Sequence, residues 1–142
     1  GQERFARKIA EAIVEERKRK SIIRTSELVE CIRNAIPRVA RHGKIHFATR
    51  VFQALRIAVN NELETIQRGI AEAIMELKRG GRVAVISFHS LEDGIVKRIF
   101  RQEEKNGVIV QCMKKPLQPT QEEIYKNPRA RSGKLRVAEK IV

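Results

Sequence analysis

Apolar residues open the chain in steps of four: Phe5, Ile9 and Ile13, with Ala6, Ala10 and Val14 beside them. That spacing lays one apolar stripe along a helix and leaves Glu and Arg on the other face. The run Arg17-Lys18-Arg19-Lys20 closes the pattern with cations, where the exposed carbonyls of a helix end favour them. A second helix is predicted from Thr25 or Ser26, either of which can cap it. Its apolar face is Leu28, Val29, Ile32, Ala35 and Ile36, and Pro37 stops it. Arg38 to Lys44 reads as an exposed basic loop and a candidate boundary.

From Arg50 to Leu77 the steps of three and four continue through Phe52, Leu55, Val59, Leu63, Ile66, Ile70 and Ile74, which predicts one long amphipathic helix. Gly80-Gly81 ends it. Arg82 to Phe88 is a nearly continuous apolar run, the pattern of a strand buried on both faces of a parallel sheet. Ser90 is then placed to cap a helix with Glu92 and Asp93 in its first turn and Leu91, Ile95, Ile99 and Phe100 on its inner side. A strand over Val108–Met113 follows. Thr120-Gln-Glu-Glu123 forms a capping box for a short helix, and Leu135–Ile141 alternates well enough for a last strand. Helix–strand alternation in this order argues for an α/β layered fold behind a helical opening.

Charge adds a direction to this picture. The net charge is +13, and it is uneven: Lys and Arg outnumber acids 13 to 6 over residues 1–50, 9 to 8 over 51–110, and 8 to 3 over 111–142. A near-neutral centre with basic ends suggests polyanion-facing margins, nucleic acid first among them. The competing reading is the Lys-, Arg- and Glu-rich surface of a heat-adapted protein. With five Phe, one Tyr and no Trp, wide aromatic platforms for single-stranded bases are not expected. Cys31 and Cys112 stand alone, without metal-ligand spacing to the three His, so neither a disulfide framework nor a metal site is indicated and a reducing cytoplasm fits. No apolar run reaches the ~18 residues of a membrane span.

Two segments offer chemistry. Ligands of open α/β sheets sit at the carboxyl ends of parallel strands. Here that end is Ser87-Phe-His-Ser-Leu-Glu-Asp93, which brings hydroxyls, an imidazole, carboxylates and a helix start together. Capping alone would also account for Ser90 and Asp93. Asn127-Pro-Arg-Ala-Arg-Ser-Gly-Lys-Leu-Arg136 sets four cations around a Pro- and Gly-punctuated turn, suited to phosphate and RNA. Arg41, Lys44, His46 and Arg50 form a similar cluster. No Gly-rich dinucleotide turn, P-loop, nucleophile elbow or HExxH occurs.

Three stretches, His46-Phe-Ala-Thr-Arg-Val-Phe-Gln-Ala-Leu-Arg-Ile-Ala-Val-Asn-Asn-Glu-Leu63, Gly80-Gly-Arg-Val-Ala-Val-Ile-Ser-Phe-His-Ser-Leu-Glu-Asp93 and the Asn127–Arg136 segment, closely resemble the RsmH (MraW) family in the same order. The likeness runs over essentially the whole chain. It implies S-adenosylmethionine-dependent methylation of the N4 amino group of a cytidine in 16S ribosomal RNA. The implied fold is a class I Rossmann-like methyltransferase interrupted by a helical insert, with this chain as its C-terminal part. Residues 1–45 then correspond to part of the insert, and 46–142 to the second half of the catalytic domain, whose last strand runs antiparallel between the two before it. The family's cofactor loop, ribose-holding acid and methyl-side motif belong upstream, so no cofactor ligand is carried over to this chain. By the same resemblance, the candidates for holding RNA are His89, Ser90, Asn127, Arg129, Arg131 and Lys134, to which the basic cluster before the long helix adds His46 and Arg50; the catalytic residue is left unassigned. Gly94 departs from the family, which often has a basic residue there.

The expected partner is thus 16S ribosomal RNA or the small ribosomal subunit, with no membrane. The chain alone is expected to be inactive, and the alternative is an RNA-binding fragment without catalysis. A further expectation is an unpaired apolar edge at the strand Val83–Ile86, so that the isolated chain self-associates, swaps elements between copies, or was cut from a longer polypeptide.

Overall fold

The computed structural model describes residues 2–43 and 45–142, and the chain divides into two compact units, Gly1–Asn60 and Asn61–Val142. Among the described residues it is an α/β structure of six α-helices and one three-stranded sheet. No helix there is long and apolar enough to cross a membrane.

The first unit holds α1 (Ala6–Arg19), α2 (Thr25–Ala35) and α3 (Thr49–Val59), with a 3-10 turn at Arg38–Arg41 where the sequence suggests a basic loop. Ile9, Ile32, Ile36, Ala48 and Val51 are buried together, with Phe5, Ile13, Leu28 and Phe52 packed against them. Ala48 and Val51 carry this core past residue 45. Neither Thr25 nor Ser26 caps α2: Thr25 is its first helical residue and Arg24 holds the cap position. The free amides are taken from the other side, since Ile23 N–H and Arg24 N–H both donate to Glu27 Oε2, at 2.8 and 3.0 Å. Those two backbone bonds, with Lys20 Nζ at 3.1 Å, pull the Glu27 carboxyl down to about 2.

The single long helix predicted from Arg50 to Leu77 is two helices. α3 stops at Val59, and α4 (Glu62–Glu76) starts after Asn61, which sits in the left-handed region at φ 50° and ψ 39°. Asn is one of the few residues with a side chain that tolerates this conformation. Helical periodicity does not register one such residue between two runs; the pair Asn60-Asn61 is the signal that does.

In the second unit, β1 (Arg82–Ser87), β2 (Ile109–Gln111) and β3 (Lys134–Lys140) lie in the order β1-β3-β2. β3 is antiparallel to both neighbours, pairing Ser87 with Lys134 on one side and Ile109 with Lys140 on the other. β1 and β2 therefore run the same way on either side of a reversed central strand, the arrangement expected from the resemblance. Gly80, at φ 79°, and Gly81 make the tight entry to β1: Gly80 N–H donates to Lys140 O and Lys140 N–H to Gly81 O. A Cβ at Gly81 would stand 2.8 Å from Lys78 O, so glycine is required there.

α4 and α5 (Ser90–Lys105) cover one face of the sheet. Ile70, Ile74, Val96, Phe100, Ile109 and Ala138 form the core, with Val83 and Val85 packed on it. Phe100 is fully buried, which is worth roughly 1.5–3 kcal/mol. The expectation that β1 is buried on both faces fails: Ala84 and Ile86 point to the opposite face and are exposed, Ile86 by 61%. The run is continuous in sequence yet used on one side, because no described element packs over Ala84 and Ile86. The last α-helix, α6 (Gln121–Lys126), is capped by Thr120 as predicted, with Glu123 N–H donating to Thr120 Oγ1 at 3.2 Å, but of the predicted capping box only this half forms.

Candidate RNA-binding cleft

Two segments far apart in sequence meet at the carboxyl end of β1. Ser87 is buried opposite Lys134, and its Oγ lies 3.5 Å from Lys134 O. Beyond it, Asp93 in the first turn of α5 reaches across to β3. Arg136 Nε donates to Asp93 Oδ1 at 2.7 Å and Arg136 Nη2 to Oδ2 at 3.3 Å, while Lys134 Nζ stands 3.4 Å from the same Oδ2. The hydrogen bonds from Arg136 are the main reason the Asp93 carboxyl titrates below the usual range, its burial opposing them, and the charges of Arg136 and Lys134 act the same way. Asp93 is not a cap residue: its carboxylate fastens the start of α5 to the strand that follows the cationic loop.

His89, not Ser90, is the N-cap of α5. Its Nδ1 accepts from Glu92 N–H at 3.3 Å, and Glu92 Oε2 accepts from Phe88 N–H at 2.8 Å and His89 N–H at 3.2 Å. Glu92 thus repeats in this unit what Glu27 does in the first. His89 Nε2 is buried without a hydrogen bond, although Glu92 Oε1 is 3.1 Å away. Glu62, His89 and Glu92 offer ligand atoms within 4.8 Å of one another. A ring that accepts at Nδ1 carries its proton on Nε2 when neutral, so the nitrogen beside Glu92 Oε1 presents a proton rather than a lone pair for a metal.

The cationic loop is itself ordered as a 3-10 turn, Pro128–Ser132, rather than an irregular loop. Asn127, Arg129 and Lys134 line a cleft of about 300 Å³ together with Ile86, Phe88 and Leu117. Arg129 and Arg131 line an adjoining hollow with Phe88 and Pro128. Both arginines are exposed and have no ion-pair or hydrogen-bond partner among the described residues, whereas Lys126 pairs with Glu122 and Lys134 with Asp93. His46 and Arg50 belong to the first unit, where they border a separate hollow of about 500 Å³ with Phe5, Ile36 and Phe47. There His46 Nδ1 accepts from Ala48 N–H and Arg50 lies 4.0 Å from Glu3. Lys44 of the same cluster lies outside the described residues. The structure therefore gathers Asn127, Arg129, Arg131 and Lys134, sets His89 and Ser90 at the adjacent helix start, and places His46 and Arg50 in the other unit. Sequence reasoning does not single out Phe88, Leu117 or the Asp93–Arg136 pair. An aromatic at a strand end, between a buried Ser and a capping His, is the one signal that points to the cleft.

Residues 1–141 match the family described as the MraW methylase family. Among curated proteins, the chain is 54% identical to ribosomal RNA small subunit methyltransferase H of Persephonella marina over 141 residues, covering 99% of this chain and 48% of that protein. It is 50% identical to the protein of the same name from Sulfurihydrogenibium sp., with the same coverage, and 51% identical to that of Synechococcus elongatus, covering 100% of this chain and 46% of that protein. The chain spans about half the length of the curated relatives it matches. With its full length matched and half its residues identical in each of these relatives, the chain belongs to the MraW methylase family.

Proposed function

We propose that the chain is the RNA-holding later half of an S-adenosylmethionine-dependent methyltransferase that modifies the N4 amino group of a cytidine in 16S ribosomal RNA, in the cytoplasm. In this reading residues 1–45 are part of a helical insert and 46–142 the second half of a Rossmann-like domain, with the free edge of β1 open to a further strand. The observation that carries it is the convergence of Ser87–Asp93 with Asn127–Lys134 at one end of the sheet, where unpaired Arg129 and Arg131 face solvent. Guanidinium groups free of acidic partners are available to phosphate oxygens, which they can bind bidentately. Asn127 and Lys134 add a neutral amide and a further cation along the same wall, and His89 and Ser90 follow Phe88 at the start of α5.

The methyl donor does not fit the residues present. Among the described residues, the amides of Phe88, His89 and Glu92 at this sheet end are closed to a cofactor, because all three are taken by the His89–Glu92 cap. No step of the reaction is therefore assigned to this chain's residues beyond holding RNA. For the chain on its own, RNA binding without catalysis is the reading that this closure favours. The test is RNA affinity as a function of salt. Arg129→Ala with Arg131→Ala should weaken binding of a 16S ribosomal RNA fragment and lower the salt slope by about one for each phosphate no longer neutralised. Unchanged affinity and slope would remove the loop from the interface.

A further inference from the structure

RNA binding through cations leaves an apolar feature unexplained. Phe88, Ile86 and Leu117 are 53%, 61% and 59% exposed, yet they are neighbours lining one concave cleft rather than scattered surface residues. We propose that this cleft is a subsite for one unpaired base of the bound RNA, stacked on the Phe88 ring, with the adjoining phosphates on Arg129 and Arg131. The subsite rests on the RNA-holding role proposed for the chain and narrows it.

Three observations support this occupant. The cleft, at about 300 Å³, lies at the small end of ligand pockets and suits a flat ring rather than a helix face. Its lining includes the amides of Gln118 and Asn127 and the carboxylate of Glu123, which present donors and acceptors to the polar edge of a base. The hollow next to it shares Phe88 and Arg129 and adds Arg131, so the aromatic wall and the two unpaired cations are contiguous. An apolar face, a polar edge and an anion in that order describe a single-stranded nucleotide. The site is also held ready. Phe88 N–H is fixed to Glu92 Oε2 at 2.8 Å, and a Cβ at Gly133 would stand 3.0 Å from Ala130 O and 3.9 Å from the Phe88 ring, so glycine keeps the loop close to the aromatic. With a single aromatic in the cleft, the site takes one base and not a stacked run.

The test is a fluorescence titration of this chain with a short single-stranded RNA and with versions carrying one abasic residue at each position in turn. Phe88→Ala should weaken the intact RNA about 10-fold, the size of one missing base–aromatic stack, while Phe88→Tyr keeps wild-type affinity. One abasic position should reproduce the loss and add nothing further in the Phe88→Ala protein. The salt slope should stay unchanged in that variant, unlike in the Arg129 and Arg131 variants. Circular dichroism guards against unfolding, which the exposure of Phe88 makes unexpected. Salt-dependent RNA binding that ignores both Phe88 and the abasic residues would overturn the subsite alone, as would equal competition by a duplex of the same length. Absence of any RNA binding would overturn the subsite and the RNA-holding role together.

Discussion

Arg136 grips Asp93 through two donors, Nε at 2.7 Å and Nη2 at 3.3 Å, and both side chains are nearly removed from solvent, at 7% and 13% exposure. The two residues lie on β3 and at the start of α5, so the ion pair joins the strand-end segment to the strand behind the cationic loop, beside the Ser87–Lys134 end of the β1–β3 ladder. Removing one partner leaves the other buried without its counter-charge, which is far costlier than loss of a surface pair. Asp93→Ala should therefore destabilise the second unit by about 3 kcal/mol or more, read as a fall in urea midpoint. A loss below about 1 kcal/mol would mean that the pair is solvated.

The same pair sets a pH dependence. Asp93 titrates below its ordinary value of 3.8 in the folded chain, held down chiefly by Arg136. The unfolded state then binds its proton first as pH falls, so the stabilisation is complete above the ordinary aspartate range and is lost below it, through the lower native value. Urea midpoints should drop on acidification below about pH 4 in the parent chain, and drop less steeply in Asp93→Asn. Parallel slopes in the two proteins would assign the acid sensitivity elsewhere.

Asn61 separates α3 from α4 with a left-handed backbone. A β-carbon without a compensating amide costs about 1 kcal/mol in that region, and glycine costs nothing sterically. Asn61→Gly should leave the melting temperature within a degree or two of the parent, while Asn61→Val should lower it by several degrees. Equal stability of the Val and Gly variants would show that the break relaxes into a continuous helix.

Among the described residues β1 has one hydrogen-bonded neighbour, and its open face shows Ala84 and Ile86. Unpaired apolar edges invite a second chain, and a lysine on the edge discourages it. Sedimentation should show concentration-dependent association of the chain that Ala84→Lys reduces. A monomer over the whole concentration range would contradict this.

Which features are legible in the sequence follows from which forces act locally. The caps and turns at Thr120, Gly80 and Pro37 are decided by a few adjacent residues, and they are readable. Amphipathic stripes mark α1, α2 and α5 for the same reason. Strand order is not accessible from periodicity; it comes from resemblance, and the antiparallel β3 between β1 and β2 agrees with it. Three features escape because they depend on contacts distant in sequence or on a single backbone angle. Asp93 reads as a cap residue until Arg136 arrives from 43 residues away. Phe88 reads as the end of a buried strand, although no described element covers it. The periodic run through Asn60-Asn61 hides a change of backbone hand. The cationic loop is visible by composition alone, but the freedom of Arg129 and Arg131 from acidic partners is a property of the folded surface.

On the proposed function, this chain grips RNA and does not itself hold the methyl donor. Calorimetric titration of the 142-residue chain, once with a 16S ribosomal RNA fragment at several salt concentrations and once with S-adenosylmethionine, tests both halves together. The expected result is RNA binding that weakens steeply with salt and no binding heat from S-adenosylmethionine. Saturable binding of S-adenosylmethionine, or RNA affinity indifferent to salt, would contradict it.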